Sequence, residues 1–391
     1  MNPLRRGLIA LSVAVFSFQF ANGINRSIQN NFYVETLGLQ ADQMGFLTTA
    51  RELPGFLTAL IAALAARLTP PQLGSVSLGV MGIGYAGFGS VETYLGLLGV
   101  AVVSSVGFHS WFPISSALGL SLASRENAGQ VLGKIQAVGY AASLLSMALI
   151  IAVVQTFSVS GTPFYRAAFY VSGVAVVLGA VGILFFPKGI AQRPKERLVF
   201  RRRYWLYYAI TFLDGCRGEV FMAFGVYLLV RQYLVDVQTI TGLLLLSSVL
   251  SMVLSQPVGQ LIDRLGERTC LTISYAGHLS TFVGFALIQN GTAAVALYVI
   301  YNVLMLFSMS TNTYLKRTAD PADVGPSLAM GMTTMHISAM IVPILGGMLW
   351  ERFGFQIPFL VGGGFALVSI IVSRQMPKRT IAPAKAPVVV G

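Results

Sequence analysis

The sequence predicts an all-α polytopic membrane protein, with 12 transmembrane helices arranged as two six-helix bundles related by pseudo-twofold symmetry. Three observations predict it. The 391 residues are 55% hydrophobic and only 10% charged, whereas soluble domains carry about 25% charged residues and need them to cover their surface. The apolar residues fall into twelve stretches, each near the ~20 helical residues that cross a ~30 Å hydrocarbon core. Residues of similar type also recur about 190 to 197 positions apart. Helices follow from the solvent, because lipid offers no partner to open backbone groups. A closed β-barrel would alternate in segments of about ten residues, and that pattern is absent. Glycine, at 41 residues, exceeds the usual ~7% and suits helices whose backbones approach closely.

The first bundle, residues 1–186, holds spans at about 8–34, 43–67, 73–91, 94–121, 128–155 and 164–186. Span one follows Arg5-Arg6 as a signal peptide would, but it runs on through Asn22, Asn25 and Arg26 without an A-x-A site, so it reads as a retained span. Span two contains Pro54-Gly55, which suggests a kink or local unwinding. Thr69-Pro70-Pro71 turns the chain into span three, and Ser160-Gly161-Thr162-Pro163 turns it into span six. Residues 187–203 form a basic linker with Lys188, Arg193, Lys195, Arg197 and Arg201-Arg202-Arg203. It reads as a cytoplasmic topogenic segment, with contact to anionic lipid as the other reading. The second bundle, 204–391, holds spans at about 204–232, 239–261, 270–289, 292–316, 326–349 and 357–375, then a short tail. Asn290-Gly291 and Asp320-Pro321 bound span ten.

The charges orient these spans. With the N-terminus inside, 19 of the 26 Lys and Arg fall on the cytoplasmic side. Arg166, Arg231 and Arg352 fall outside, and Arg26, Arg51, Lys134 and Arg217 lie within spans. That asymmetry places both termini in the cytoplasm and supports an even number of spans. The net charge of +12 is therefore a topological signal, and no nucleic-acid partner is expected. Cys216 and Cys270 form no disulfide framework or metal pattern.

The halves resemble each other. Phe20-Ala21-Asn22-Gly23 in span one answers Phe212-Leu213-Asp214-Gly215 in span seven, and Gly45 answers Gly242. The shared offset points to a duplicated six-span unit. With the basic linker and the turn Gly259-Gln260-Leu261-Ile262-Asp263-Arg264-Leu265-Gly266-Glu267-Arg268, nearly the whole chain resembles the major facilitator superfamily. Gly259, Asp263, Arg264, Gly266 and Arg268 match that family's G-x-x-x-D-R-x-G-R-K loop, and Glu267 departs from it. Gly266 supplies backbone freedom for a tight turn, and Asp263 can meet a helix N-terminus or an arginine. The resemblance implies a cytoplasmic gating loop whose ion pair holds the two halves in one state and breaks in the other. The first copy of the loop is eroded: Ala62, Ala66 and Arg67 stand where Gly259, Asp263 and Arg264 stand in the second. The span-four arginine of many members is missing, and Gly139-Tyr140-Ala141-Ala142-Ser143 lacks the proline of the drug/proton antiporters.

An ionisable side chain inside a span costs at least ~2.5–3.5 kcal/mol, so each is a candidate for substrate or proton handling. Asn22, Asn25, Arg26 and Gln29 share one face of span one by their i, i+3, i+4, i+7 spacing. Arg51 is suited to bidentate binding of an anion, and Glu52 follows it at ~100° around the helix. Asp214 and Arg217 share a face at i, i+3, while Glu219 points elsewhere and needs a partner on another helix or a proton. Lys134, Asn302, His109 and His336 complete the set; each also fits an ordinary role in packing, hydrogen bonding or snorkelling. The resulting expectation is a secondary active transporter that moves a small solute, anionic or amphipathic, across the cytoplasmic membrane by alternating access. Its partners would be the solute, a proton or other coupling ion and membrane lipid; it would work as a monomer without cofactor or metal. No G-x-x-x-x-G-K-[ST] loop implies ATP. A non-transporting sensor or assembly protein, or a polytopic membrane enzyme, is the alternative; the scattered histidines and the absence of H-E-x-x-H weigh against the enzyme.

Overall fold

The computed structural model describes residues 2–56, 67–123, 128–187, 189–190 and 200–377. Ala62, Ala66, Arg125, most of the basic linker and the tail after 377 lie outside the described residues. Among the described residues the chain is helical, with no strand. The helices are α1 (Pro3–Asn31, extended by a π turn at Phe32–Thr36), α2 (Ala41–Phe56), α3 (Pro70–Phe88), α4 (Tyr94–Ser121), α5 (Ala128–Phe157) and α6 (Thr162–Ile183). They continue as α7 (Trp205–Tyr233), α8 (Val237–Leu265), α9 (Glu267–Leu287), α10 (Gly291–Thr318), α11 (Pro321–Phe353) and α12 (Gln356–Ser373).

Local chemistry starts and stops them. The Asn2 side chain accepts from Leu4 N at 3.0 Å ahead of Pro3, and Thr69 N donates to Gln72 Oε1 at 3.0 Å in a capping box before Pro70. Asp236 caps α8 through Thr239 N at 2.7 Å, and Asn290 caps α10 through Ala293 N at 3.0 Å. Gly266 takes φ +81° between α8 and α9, a conformation that L side chains rarely adopt.

Nine helical segments are long and apolar enough to cross a membrane, counted among the described residues. The protein is an integral membrane protein on that basis. The other three helices fall short for visible reasons. The described part of α2 is 16 residues long. α3 is diluted by Gly74, Gly79, Gly82, Gly84 and Gly87, and α7 carries Asp214, Arg217 and Glu219 in its middle. Two details refine the reading of the spans. Span ten is not one regular helix: α10 passes through a 3-10 turn at Leu306–Ser308. Pro54-Gly55 does not unwind α2, which stays helical from Ala41 to Phe56. The missing Cβ of Gly55 serves close packing instead, because one there would come within 2.6 Å of His109 and 3.0 Å of His336.

The packing repeats at an interval of six helices. α1 packs on α5 and α6 as α7 packs on α11 and α12; α3 packs on α4 and α6 as α9 packs on α10 and α12. A Cβ on Gly23 would collide with the Ser146 hydroxyl of α5, and one on Gly215 would collide with the Ser338 hydroxyl of α11. α2 packs along α11, and α5 packs against α8. At the end of the molecule where α1 and α7 finish, several hydrogen bonds join residues before the linker to residues after it. Tyr227 donates to Leu39 O at 2.8 Å, Ala41 N to Glu351 Oε1 at 2.7 Å, and Asn31 Nδ2 to Val235 O at 3.1 Å.

Candidate functional site

Two adjoining cavities lie between the helices and share Asn22 and Arg26 of α1. The larger, about 600 Å³, is bounded by α1, α5, α8 and α10 and lined by Asn302, Tyr140 and a row of serines on α8: Ser247, Ser248, Ser251 and Ser255. The smaller, about 430 Å³, is bounded by α1, α2, α3, α4 and α7. It collects the charged residues: Arg26, Arg51, Glu52, His109 and Glu219 all line it.

The polar stripe of α1 faces this space as its spacing predicts: Asn22, Asn25, Arg26 and Gln29 border the smaller cavity. Asn25 is also tied down, with Nδ2 donating to Ala21 O at 2.8 Å and to Ser172 Oγ of α6 at 3.0 Å. Asn302 lines the larger cavity while its amide donates to Tyr298 O at 2.8 Å. Glu219 lines the smaller cavity, and among the described residues no hydrogen bond or salt bridge reaches it.

Glu52, His109 and His336 come together from α2, α4 and α11. Glu52 Oε2 is 3.1 Å from His336 Nδ1 and 3.7 Å from His109 Nε2. The two imidazole rings stand 5.6 Å apart at 63°. Local sequence carried no sign of this meeting, because the three residues lie on separate helices and Glu52 and His336 are 284 positions apart.

Asp214 and Arg217 pair, as their spacing predicts, but away from both cavities. Arg217 is buried among α7, α9, α10 and α12, with Nη2 on Asp214 Oδ1 at 2.8 Å and Nη1 on Ser369 Oγ at 3.2 Å. Its guanidinium lies 4.5 Å over the Tyr275 ring, and Thr311 donates to Asp214 Oδ2 at 3.2 Å. Lys134 is exposed and lines neither of the two cavities.

In the loop from Gly259 to Arg268, Asp263 meets Arg317 at 3.1 Å, and Arg317 also reaches Glu267 at 2.8 Å. Arg264 is exposed, and Arg268 donates to Met376 O at 3.3 Å. Arg317 ends α10, so this ion pair joins α8, α9 and α10. It lies wholly after the linker, whereas the resemblance implied a pair between the halves. The departure at Glu267 is explained by the same arginine, which takes both acids. Arg317 was missed in the sequence because a basic residue in the last turn of a helix already answers the helix dipole. Near the start of α11, Arg203 pairs with Asp320 and Asp323, and the Tyr204 hydroxyl donates to Asp323 Oδ2 at 3.1 Å. The hydrogen bond from Arg203 holds the Asp323 carboxyl below the usual carboxylate range.

Charged residues gathered in a cavity between apolar helices, as among the described residues here, are a feature that membrane transporters share. The chain is a member of the Major Facilitator Superfamily, whose family model matches residues 11–315. Similar solved structures include the nucleoside transporter NupG, at 14% identity and a TM-score of 0.76, covering 96% of this chain and 98% of that one. A bacterial homologue of the human lysosomal transporter Spinster, in an inward-facing and unoccupied conformation, is similar at 13% identity and a TM-score of 0.75. That likeness covers 96% of this chain and 98% of the homologue. At these identities the likeness concerns the fold. No curated protein matches the chain in sequence.

Proposed function

We propose that the protein is a secondary active transporter of a small anionic or amphipathic solute, working by alternating access. The observation that carries this reading is the charged cavity of α1, α2, α4 and α7, which Arg26, Arg51, Glu52 and Glu219 line together. Charges placed inside a membrane protein mark substrate and ion pathways, and planar guanidinium groups suit a carboxylate or phosphate. Residues 1–186 and 204–391 are the two rocking bundles, a division supported by packing that repeats at six helices. All twelve helices cross the membrane in this reading. The bonds at Leu39, Ala41 and Asn31 close the outer end, so access is from the cytoplasm. The membrane is the cytoplasmic membrane, with both termini inside, and a single chain carries out the cycle.

Coupling is to protons through Glu219. This carboxylate faces the cavity, whereas Asp214 is occupied by Arg217. A carboxylate that is protonated in one state and charged in another can move a proton with each cycle. The test is flux in proteoliposomes with an imposed pH gradient, over a panel of small anions. Wild-type protein is expected to accumulate its solute uphill, and Glu219→Gln to lose accumulation while keeping solute exchange. Unchanged uphill transport by Glu219→Gln would overturn the assignment of that residue. Saturable binding without flux would favour the sensor reading instead.

A further inference from the structure

We propose that Glu52, His109 and His336 form a binding site for one divalent transition-metal ion of the Zn²⁺ class, with ligands drawn from both halves of the chain. The three side chains each offer one ligand atom, and these atoms all lie within 4.8 Å of one another.

The hydrogen bonds around His109 carry the argument. Its Nδ1 lies 3.1 Å from the carbonyl oxygen of Ser105, which only accepts. The Ser105 hydroxyl is 3.0 Å from the same nitrogen, but its single hydrogen is donated to the carbonyl of Arg51. Both neighbours of Nδ1 are therefore acceptors, and Nδ1 carries the hydrogen. In the neutral ring Nε2 is then a bare lone pair, and it faces the Glu52 carboxylate across 3.7 Å. Two acceptors facing each other call for a cation between them.

Two of the three donor separations suit a transition-metal ion, and the third lies within 4.8 Å. Imidazole nitrogen and carboxylate oxygen bind Zn²⁺ at about 2.0–2.2 Å, which sets tetrahedral donors roughly 3.4 Å apart. The edges from Glu52 are 3.1 Å to His336 and 3.7 Å to His109. Donation of the second ring N–H to a backbone carbonyl is the usual support of a metal-ligating histidine, and His109 has it from Ser105. Gly55 leaves room for both rings against α2. Glu52 and His109 also line the smaller cavity, so water or a ligand can complete the coordination. Binding does not depend on the transport reading. If that reading holds, an ion here would pin α11 to α2 and α4 and hold the two halves in the conformation described.

The test uses full-length protein, stripped with a chelator and titrated with Zn²⁺ in a calorimeter. One saturable site per chain is expected. His109→Gln, His336→Gln and Glu52→Gln should each weaken it at least tenfold, Ser105→Ala far less, because the backbone carbonyl that orients His109 remains, and His278→Gln not at all. Because a variant can fail to fold, wild-type protein is also loaded with Co²⁺. Visible bands of a nitrogen- and oxygen-ligated ion are expected, without a thiolate charge-transfer band from Cys216 or Cys270. Absence of saturable Zn²⁺ uptake would mean that only a proton occupies the gap, and would overturn the proposal. So would Zn²⁺ binding indifferent to all three ligand substitutions, or a thiolate band.

Discussion

Asp214 Oδ1 holds Arg217 Nη2 at 2.8 Å, one helical turn along α7, with Arg217 only 1% exposed. The guanidinium is further fixed by Ser369 and the face of Tyr275. Removing one partner of such a pair leaves a buried charge without its counterion, at a cost of about 3–5 kcal/mol. Asp214→Asn is therefore expected to destabilise the protein severely, as a fall in thermal midpoint or in monodisperse yield. Asp214→Asn combined with Arg217→Met removes the stranded charge and should recover most of the loss. An unchanged midpoint in the single variant would show that the pair is not structural.

Gly23 and Gly215 occupy equivalent places on α1 and α7, and the serines that they touch, Ser146 and Ser338, are separated by the same interval of 192 residues. Each glycine lets its helix backbone approach the neighbour where a side chain would collide. Overpacking of this kind costs about 1–3 kcal/mol. Gly23→Val and Gly215→Val should each lower the thermal midpoint of the purified protein. Gly79→Ala and Gly242→Ala, where an added Cβ meets nothing within 4 Å, should not. Equal effects at all four positions would remove the argument from close approach.

The sequence was legible where membrane physics makes residues conspicuous. Arg26, Arg51, Glu52 and Glu219 stand out because an ionisable group in a span is expensive, and all four line the smaller cavity. The Asp214–Arg217 pair was legible from its i, i+3 spacing. Its location was not, because an apolar solvent removes the contrast that tells a buried helix face from a lipid-facing one. The meeting of Glu52 with His336 was illegible for another reason: contacts between helices depend on how the helices pack, and local periodicity does not encode that. For Lys134 the sequence left both a cavity role and snorkelling open, and its exposure in the first turns of α5 agrees with snorkelling.

Asp323, ahead of the membrane-crossing part of α11, gives a pH dependence with a definite sign. The Arg203 hydrogen bond lowers its carboxyl below the ordinary value of 3.8. A depressed carboxyl contributes stability that is full above its unfolded value and is lost as pH falls through its folded value. The stability difference between wild type and Asp323→Asn should therefore be flat over about pH 5 to 8 and disappear only in stronger acid. Thermal midpoints of both proteins across pH 2–8 measure it. A difference that faded near neutral pH would point to another titrating group.

Arg51 of α2 lines the smaller cavity together with Arg26 of α1. A planar guanidinium grips a carboxylate or phosphate with two parallel hydrogen bonds, and an ammonium holds it as a point charge. If Arg51 binds the anionic group of the solute, Arg51→Lys keeps the charge and loses the fork. Affinity should then fall by about tenfold, equal to about 1.4 kcal/mol, with the thermal midpoint of the unliganded protein unchanged. Arg51→Gln should lose more, because the charge goes as well. The measurement is a binding isotherm for whichever anion raises the midpoint in a ligand screen, taken on wild type and both variants at one salt concentration. Lysine and arginine binding equally would place Arg51 outside the solute's contacts and leave Arg26 as the anion-binding residue.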